Sequence, residues 1–315
     1  MRSGGTEFFM RYCFAVIDLG SNSVRMTING INENGEWCVI EKLRETVRLG
    51  EGMSRDNFLK EESMERVIKA LKGFCEAARK YKCVSIAAVA TAAVRRAANG
   101  KLFTDRIKKA TGICFEVISG EEEAYYSYIA VKETVGITNG VIFDTGGGST
   151  EISLVRGGEL KKRISLPLGA VILTERMAHS RPMQMYRYAM SYIGAIEWLD
   201  ECEGLPLYGI GGSARALAML HKKERFSLTE NDGIRVPCSS FARIYRKVFS
   251  TPPEKRREIK GMDTSRADII LAGLTPAKVL MDMICSGEII VCAAGVKEGV
   301  FFRLKNEIEE RHGDK

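Results

Sequence analysis

Two stretches, Phe14–Gly30 (FAVIDLGSNSVRMTING) and Val141–Leu154 (VIFDTGGGSTEISL), decide the fold. Each is a short apolar run that ends in Asp, passes through a glycine-containing turn and resumes as a second strand. In the first, Val24, Met26 and Ile28 alternate inward on the returning segment, as a half-buried strand requires. Superimposing DLGSNSVR on DTGGGSTE places Asp18 on Asp144, Gly20 on Gly146, Ser23 on Ser149 and Arg25 on Glu151, at a constant offset of 126 residues. A repeat of that period with matching apolar strands reads as a duplicated α/β domain, with one strand–turn–strand in each half.

The segments around these turns extend the pattern. Trp37–Leu43 supplies a third strand. Glu61–Tyr81 sets Met64, Val67, Ile68, Leu71, Phe74, Cys75 and Ala78 on one helix face. Cys83–Ala90 reads as a buried strand, Ala97–Thr111 as a helix, and Cys114–Ile118 as a strand leading into a helix over Glu121–Glu133. In the second half, Met183–Asp200 and Phe241–Phe249 are expected to be helical. The strand LYGIGG runs into the helix SARALAML, and Thr264–Met283 is a helix expected to break at Gly273–Pro276. A last strand, IIVCAAG, precedes a C-terminal helix. These elements give two domains, 11–130 and 131–315, with a helix over about 297–312 packing back on the first. Residues 1–10 read as a leader or disordered chain, since Met10 would also serve as a start.

The 315 residues carry 47 Lys+Arg against 40 Asp+Glu, a formal charge of +7, with 45% hydrophobic and 28% charged residues. Such a chain can bury a sizeable core, which excludes disorder. Its mild basic balance is compatible with an anionic partner without naming one. Nine Cys are scattered with no CxxC pair, and only His179, His221 and His312 accompany them, which disfavours a Cys/His metal site. Reduced thiols acting as small core residues in a cytoplasmic protein are expected. No apolar stretch reaches the ~20 residues of a membrane span, and the first residues lack a signal-peptide core. The basic runs KKR (161–163), HKKER (221–225) and EKRRE (254–258) lack the clustered aromatics of nucleic-acid binding. They read as solvated faces, or as guides for a polyanion.

Four glycine-containing turns each follow an apolar strand: DLGSNS, DTGGGS, GIGGSA and AAGVKEG. Glycine lets backbone N–H groups approach a phosphate, and a following helix N-terminus adds its dipole. None of the four fits the P-loop or the dinucleotide fingerprint. Asp18 and Asp144, at the tips of the duplicated turns, could hold Mg²⁺ through water, while Ser21, Ser23, Ser149 and Thr150 offer hydroxyls. The arrangement resembles the actin, Hsp70 and hexokinase superfamily, whose duplicated ribonuclease H-like domains bind phosphate in the cleft between them. Phosphoryl transfer is the chemistry expected.

The ordered motifs DLGSNSVRMTI, ATAAVRRAAN, EVISGEEEAYYSY, FDTGGGSTEISL, YGIGGSARALA, SRADIILAG and GVKEGVF extend from Phe14 to Phe302. In them the chain resembles the exopolyphosphatase/guanosine pentaphosphate phosphatase family, in its short two-domain form. The resemblance implies a duplicated actin-like fold with an interdomain cleft. It also implies a metal-dependent (Mg²⁺ or Mn²⁺) hydrolase of inorganic polyphosphate, and a homodimer. Asp18, Gly20, Ser21, Asn22 and Ser23 would form one phosphate loop, with Arg25 aimed at phosphate. Asp144, Gly146, Gly147, Gly148 and Ser149 would form the other. Asp18, Asp144 and Glu151 would hold metal, Glu151 alternatively holding the attacking water. The family's catalytic acid falls on Glu121–Glu123, with Glu123 favoured as general base and Glu122 next. Arg95 would contact phosphate, matching a motif arginine with Asn99 its companion, while Arg96 is expected to be exposed. Gly211, Gly212, Ser213 and Arg266 would add phosphate contacts.

Other readings stay open on the sequence. A guanosine pentaphosphate (pppGpp) 5′-phosphatase shares every motif, because only the leaving group differs. A non-catalytic phosphate or nucleotide sensor on the same fold predicts a lost carboxylate, yet Glu122, Glu123, Asp144 and Glu151 are present. A sugar or acetate kinase would need ATP-dependent transfer to a small acceptor.

Overall fold

The first hairpin joins β1 (Met10–Leu19) to β2 (Ser23–Asn32) in antiparallel register that sets Asp18 opposite Arg25. The computed structural model describes residues 10–178, 182–224 and 233–312. The expected leader otherwise lies outside the described residues, but Met10 already belongs to β1. An edge strand β3 (Trp37–Thr46), a single turn α1 (Met53–Asp56) and a long helix α2 (Glu61–Lys80) follow. The first half then adds β4 (Ser85–Ala90), α3 (Ala92–Arg96), α4 (Gly100–Thr111), β5 (Glu116–Val117) and α5 (Gly120–Thr134). Its five strands lie in the order β3-β2-β1-β4-β5.

The second half repeats this with β6 (Gly140–Thr145), β7 (Thr150–Arg156), β8 (Glu159–Leu166), α6 (Ala170–Arg176) and α7 (Pro182–Ile193). It continues through β9 (Leu207–Ile210), α8 (Gly211–Lys222), β10 (Gly233–Pro237), α9 (Cys238–Ser250), α10 (Ile270–Met283), β11 (Glu288–Cys292) and α11 (Val296–His312). Its sheet runs β10-β11-β9-β6-β7-β8. Read from the outer antiparallel strand inward, 3-2-1-4-5 and 8-7-6-9-11 are the same path, with β10 added at the far edge. The hairpin register also repeats, Asp144 facing Glu151 as Asp18 faces Arg25. The fold is a duplicated, actin-like α/β architecture.

Alternation decides which sheet face meets which helix. Ala15, Ile17 and Leu19 of β1 and Val24, Met26 and Ile28 of β2 join the buried face of α2 in one core. The opposite face of β1, through Val16, packs with Val89, Ile118, Tyr126, Val296, Val300, Phe301 and Phe302. The last four belong to α11, so the end of the chain closes the first half, with both Phe rings against Trp37. Conversely Tyr128 and Val131 of α5 pack on Ile142, Val155 and Tyr208 of the second sheet. Each half therefore sends a terminal helix onto the other, and the expected boundary at 130/131 falls inside the continuous helix α5.

Several local expectations are corrected. The strand expected from Cys83 begins at Ser85 and is buried only over Ala88–Ala90. Its neighbour β5 pairs only at Glu116 and Val117, which leaves the first half of β4 as a free edge. Helix α10 continues through Pro276 without a break. Its sides are buried nearly all round, and that packing outweighs the roughly 3 kcal/mol proline penalty. Of the nine free cysteines, Cys75, Cys202 and Cys292 are buried, but Cys38, Cys114 and Cys285 are exposed. In the 254–258 run, Arg256 is buried and its Nε donates to the carbonyls of Val248 and Thr251. The other four residues of the run, Lys255 and Arg257 among them, face solvent.

Candidate active site

Both duplicated turns close the same way: the Gly20 N–H donates to the Ser23 carbonyl at 3.1 Å, and the Gly146 N–H to that of Ser149 at 3.0 Å. Together they wall a cavity of about 70 Å³ between the halves. Asp18, Gly20, Ser21, Asn22, Ser23, Arg25, Asp144, Gly146, Gly147, Gly148, Ser149, Gly211, Gly212, Arg266 and Glu123, all singled out in the sequence, line it. The volume is far below the roughly 300–1,000 Å³ of a site that engulfs a drug-sized ligand. Only the tip of an extended substrate fits.

Close backbone approach explains two of the glycines. Gly211 has φ +81, and a Cβ there would stand 2.2 Å from Asp144 Oδ1. A Cβ on Gly212 would stand 2.3 Å from Arg266 Nη1. The GIGGSA turn thus leaves room for a carboxylate and a guanidinium to reach the cavity. Ser213 lies one layer behind, taking a hydrogen bond from Arg266 Nη2 at 3.1 Å and donating to the Thr145 carbonyl at 3.3 Å.

The three consecutive glutamates separate cleanly. Glu122 is the exposed partner in a capping box: the Ser119 N–H donates to its carboxylate at 2.7 Å, and its own N–H donates to Ser119 Oγ at 3.1 Å. Those hydrogen bonds hold its carboxyl below the usual range. Glu121 reaches outward to Arg163 at 3.5 Å. Glu123 alone turns inward, at 6% exposure. The expected second candidate for the base, Glu122, is therefore absent from the cavity wall, for it lies about a turn's third away around α5 and serves the cap.

Arg95 does not line the cavity, where a phosphate contact was expected. Its Nη1 donates to the Ile118 carbonyl at 2.8 Å and to Glu123 Oε2 at 3.2 Å. Asn99 clasps the backbone of Leu59, accepting from its N–H at 2.9 Å and donating to its carbonyl at 3.0 Å. Arg96, expected to be exposed, reaches across the cleft to the Gly148 carbonyl at 3.4 Å.

Glu151 stands beside Glu123, buried at 2% exposure. Ser165 Oγ donates to its Oε1 at 2.7 Å, while Oε2 is buried without a hydrogen-bond partner. Burial raises its pKa to about 7, with Asp144 adding to the rise and Ser149 and Ser165 opposing it. Glu123 is raised well above its ordinary value, by burial first and then by Glu151, with Arg95 pulling the other way. Asp144 is raised to about 6, mainly by burial, against the pull of Arg25. Asp18 is raised by burial while Arg25, Lys297 and Arg215 lower it.

Several cavity residues escaped the sequence reading, among them four polar ones. Arg215, one turn into α8, donates to the Ala293 carbonyl at 2.8 Å, and burial lowers its pKa to about 9, so it stays charged. Lys297 and Glu298 pair with each other at the start of α11, and the Gly295 N–H donates to Glu298 at 2.8 Å. Thr91 lines the wall from the end of β4. The AAGVKEG turn signalled the last group, but nothing in SARALAML marked Arg215 apart from a surface cation.

Four carboxylates among the described residues line the cavity: Glu123 is paired with Arg95 and Glu298 with Lys297 and the Gly295 N–H, which leaves Asp18 and Asp144 for a hard cation, with Glu151 opposite Asp144 in the hairpin. Among the described residues no three His, Cys, Asp or Glu side chains form a ready ligand set. Magnesium commonly takes only one or two carboxylates, completing its shell with water and phosphate oxygens, and these two aspartates suit that pattern.

Several known proteins are similar over nearly the whole chain. A bifunctional 3-dehydroquinate synthase/phosphatase of Fusobacterium nucleatum is 30% identical over 295 residues, covering 88% of this chain and 44% of its own length. Exopolyphosphatase 1 of Mycobacterium bovis is 27% identical over 91% of this chain and 87% of the relative. A guanosine-5′-triphosphate,3′-diphosphate pyrophosphatase of Vibrio vulnificus is 27% identical over 94% of this chain and 60% of the relative. The chain thus spans about half the length of the first and three-fifths of the last. A crystal structure of an Aquifex aeolicus member of the Ppx/GppA protein family superposes with TM-score 0.77 at 28% identity, over 96% of this chain and 99% of the other. A family model described as the Ppx/GppA phosphatase family matches residues 29–307, and the chain belongs to that family.

Proposed function

We propose that the chain is a metal-dependent phosphoanhydride hydrolase that removes the terminal phosphate of inorganic polyphosphate, with Glu123 as general base. One observation carries the reading: a buried carboxylate with raised proton affinity faces a phosphate-sized cavity walled by two amide-rich turns. A base works best when its pKa approaches the working pH, and burial beside Glu151 moves Glu123 in that direction.

The terminal phosphoryl group enters between the turns at Gly20–Ser23 and Gly146–Ser149, whose amides and hydroxyls donate to its oxygens. Arg25 and Arg266 offset its charge. Water on the Glu123 side attacks phosphorus and gives its proton to the Glu123 carboxylate, while Arg95 fixes that carboxylate from behind. The bridging P–O bond breaks, and the chain shortened by one phosphate leaves with the bridging oxygen. A magnesium or manganese ion held by Asp18 and Asp144 would supply Lewis-acid stabilisation of the charge that builds on the phosphoryl oxygens.

The Mycobacterium and Vibrio relatives support hydrolysis and divide on substrate. The narrow cavity favours a substrate that presents a bare terminal phosphate, which both polyphosphate and pppGpp do. Phosphate release from each, measured with Mg²⁺ on the intact chain and on Glu123→Gln, decides. Release from polyphosphate that the substitution abolishes is the expected result. Release from pppGpp alone would make the chain a 5′-phosphatase of that nucleotide, and release from neither would overturn the hydrolase reading.

A further inference from the structure

A second cavity, of about 410 Å³, opens between the C-terminal end of α8, one face of α9 and the turn at Ile259–Lys260. Among the described residues it shares none with the active-site cavity, and its volume falls in the range typical of small-molecule sites. The floor is apolar: Leu220 and Val248 are buried, and Ile244 and Ile259 pack against the core of the second half. The walls are cationic. Lys223, Arg243, Lys247 and Lys260 line them together with His221 and Ser240, and among the described residues no carboxylate does.

A cation at the C-terminal end of a helix ordinarily serves the helix dipole, and that accounts for Lys223 at the end of α8 and Lys247 in the last turn of α9. It does not account for Arg243 or Lys260. Ser240, Arg243, Ile244, Lys247 and Val248 fall at i, i+3, i+4, i+7 and i+8, so one stripe of α9 presents both the cations and the apolar residues to the same space. Lys260 comes from a third element. Four like charges gathered around one apolar floor make a region of positive potential that attracts an anion. The His221 imidazole already registers that field, its pKa lowered by burial and then by Lys222 and Arg243.

We propose that this cavity is an effector site for a nucleoside di- or triphosphate. The base lies on the Leu220, Ile244, Val248 and Ile259 floor, and the phosphates meet Lys223, Arg243, Lys247 and Lys260. Two continuous connections lead from it to the active site. Helix α8 begins at Gly211 and Gly212 in the active-site wall and ends at this cavity, about 18 Å away along its axis. The segment that carries Lys260 continues to Arg266, whose guanidinium lines the active site. The two meet at Gly261, where a Cβ would stand 2.3 Å from the Met219 carbonyl, so neither shifts without the other. Occupancy therefore changes how the active site holds its phosphate chain.

The binding test stands independently of the proposed hydrolysis. ATP is titrated calorimetrically into the full chain carrying Glu123→Gln, which prevents turnover. On that background, Arg243→Glu with Lys247→Glu should weaken ATP at least tenfold, while Arg266→Gln should leave it within twofold. Both altered α9 residues are exposed, and circular dichroism confirms folding; Ser240→Glu serves as a second, single-charge variant. Inorganic triphosphate should bind at least tenfold more weakly than ATP if the apolar floor holds the base. No ATP binding up to millimolar concentration would overturn the proposal, as would loss of binding in Arg266→Gln with retention in the α9 variants. The effector role rests on the hydrolase reading and has its own readout. Saturating ATP should change the KM for polyphosphate at least threefold in the native chain and not in the α9 double variant. Intact binding without that change would overturn the coupling alone.

Discussion

Arg95 Nη1 joins the Ile118 carbonyl at 2.8 Å to the Glu123 carboxylate at 3.2 Å, and so ties the proposed base to the backbone just before the helix that carries it. Arg95 is a positioning residue. Its charge also lowers the proton affinity of Glu123, against burial and Glu151, which raise it. Arg95→Ala should cut kcat about 10–100-fold and move the acid limb of the kcat profile to higher pH, because the opposing charge is gone. A purely structural role would lower activity without moving the limb; pH profiles of both proteins distinguish the two.

Glu123 and Glu122 should part company sharply. Glu123→Gln is expected to lower kcat about 10²–10⁴-fold, the usual contribution of a general base. Glu122→Gln should retain the rate and the capping box, since Gln fills the same position. Glu122→Ala should retain the rate but lose about 0.5–1 kcal/mol of stability. Steady-state phosphate release and urea unfolding check these outcomes; a large rate loss in Glu122→Gln would contradict the assignment.

The buried carboxylates reverse the ordinary dependence of stability on pH. Asp144 is raised to about 6, Glu151 to about 7, and Glu123 is raised as well. The folded chain holds protons that the unfolded chain has released, so their contribution is fully present below the ordinary carboxylate range. It is lost as pH rises through roughly 4.5 to 7. In EDTA, Glu151→Gln should therefore stabilise the chain at pH 7.5 and leave it nearly unchanged at pH 4.5. Thermal midpoints at the two pH values read the difference; equal shifts at both would refute the linkage.

Gly212 should tolerate no side chain. A methyl group would stand 2.3 Å from Arg266 Nη1 and force the guanidinium away from the cavity. Gly212→Ala should raise the KM for polyphosphate about tenfold, equivalent to about 1.4 kcal/mol, with a smaller effect on kcat. A fall in kcat at unchanged KM would place Arg266 in the transition state alone.

The duplicated turns were legible because their chemistry is local: an apolar strand, an Asp and glycines at fixed offsets. The matched pairs Asp18–Arg25 and Asp144–Glu151 follow from hairpin register alone. What stayed hidden depends on distant packing. Nothing near Pro276 says that its helix is enclosed on nearly every side, and nothing near Arg256 says that its guanidinium caps carbonyls at the end of α9. Glu121, Glu122 and Glu123 are alike in sequence and differ only in which way α5 turns them. Arg95 carried the right motif but a different role: it meets the proposed base where a phosphate contact was expected. Arg215 went unnoticed because a cation on a helix surface looks the same whether it faces solvent or a cleft.

The return of α11 to the first half sets the timing of activity during synthesis. The active-site wall runs from Asp18 to Glu298, and Val296, Val300, Phe301 and Phe302 complete the core beneath β1. At about 5–20 residues per second, a ribosome needs roughly 15 to 60 s to travel from the first of those wall residues to the last. Throughout that interval the nascent chain exposes the bare underside of β1 and has an unfinished wall. A growing chain can therefore fold much of each half early, yet its site is completed all at once, when α11 has emerged and docked.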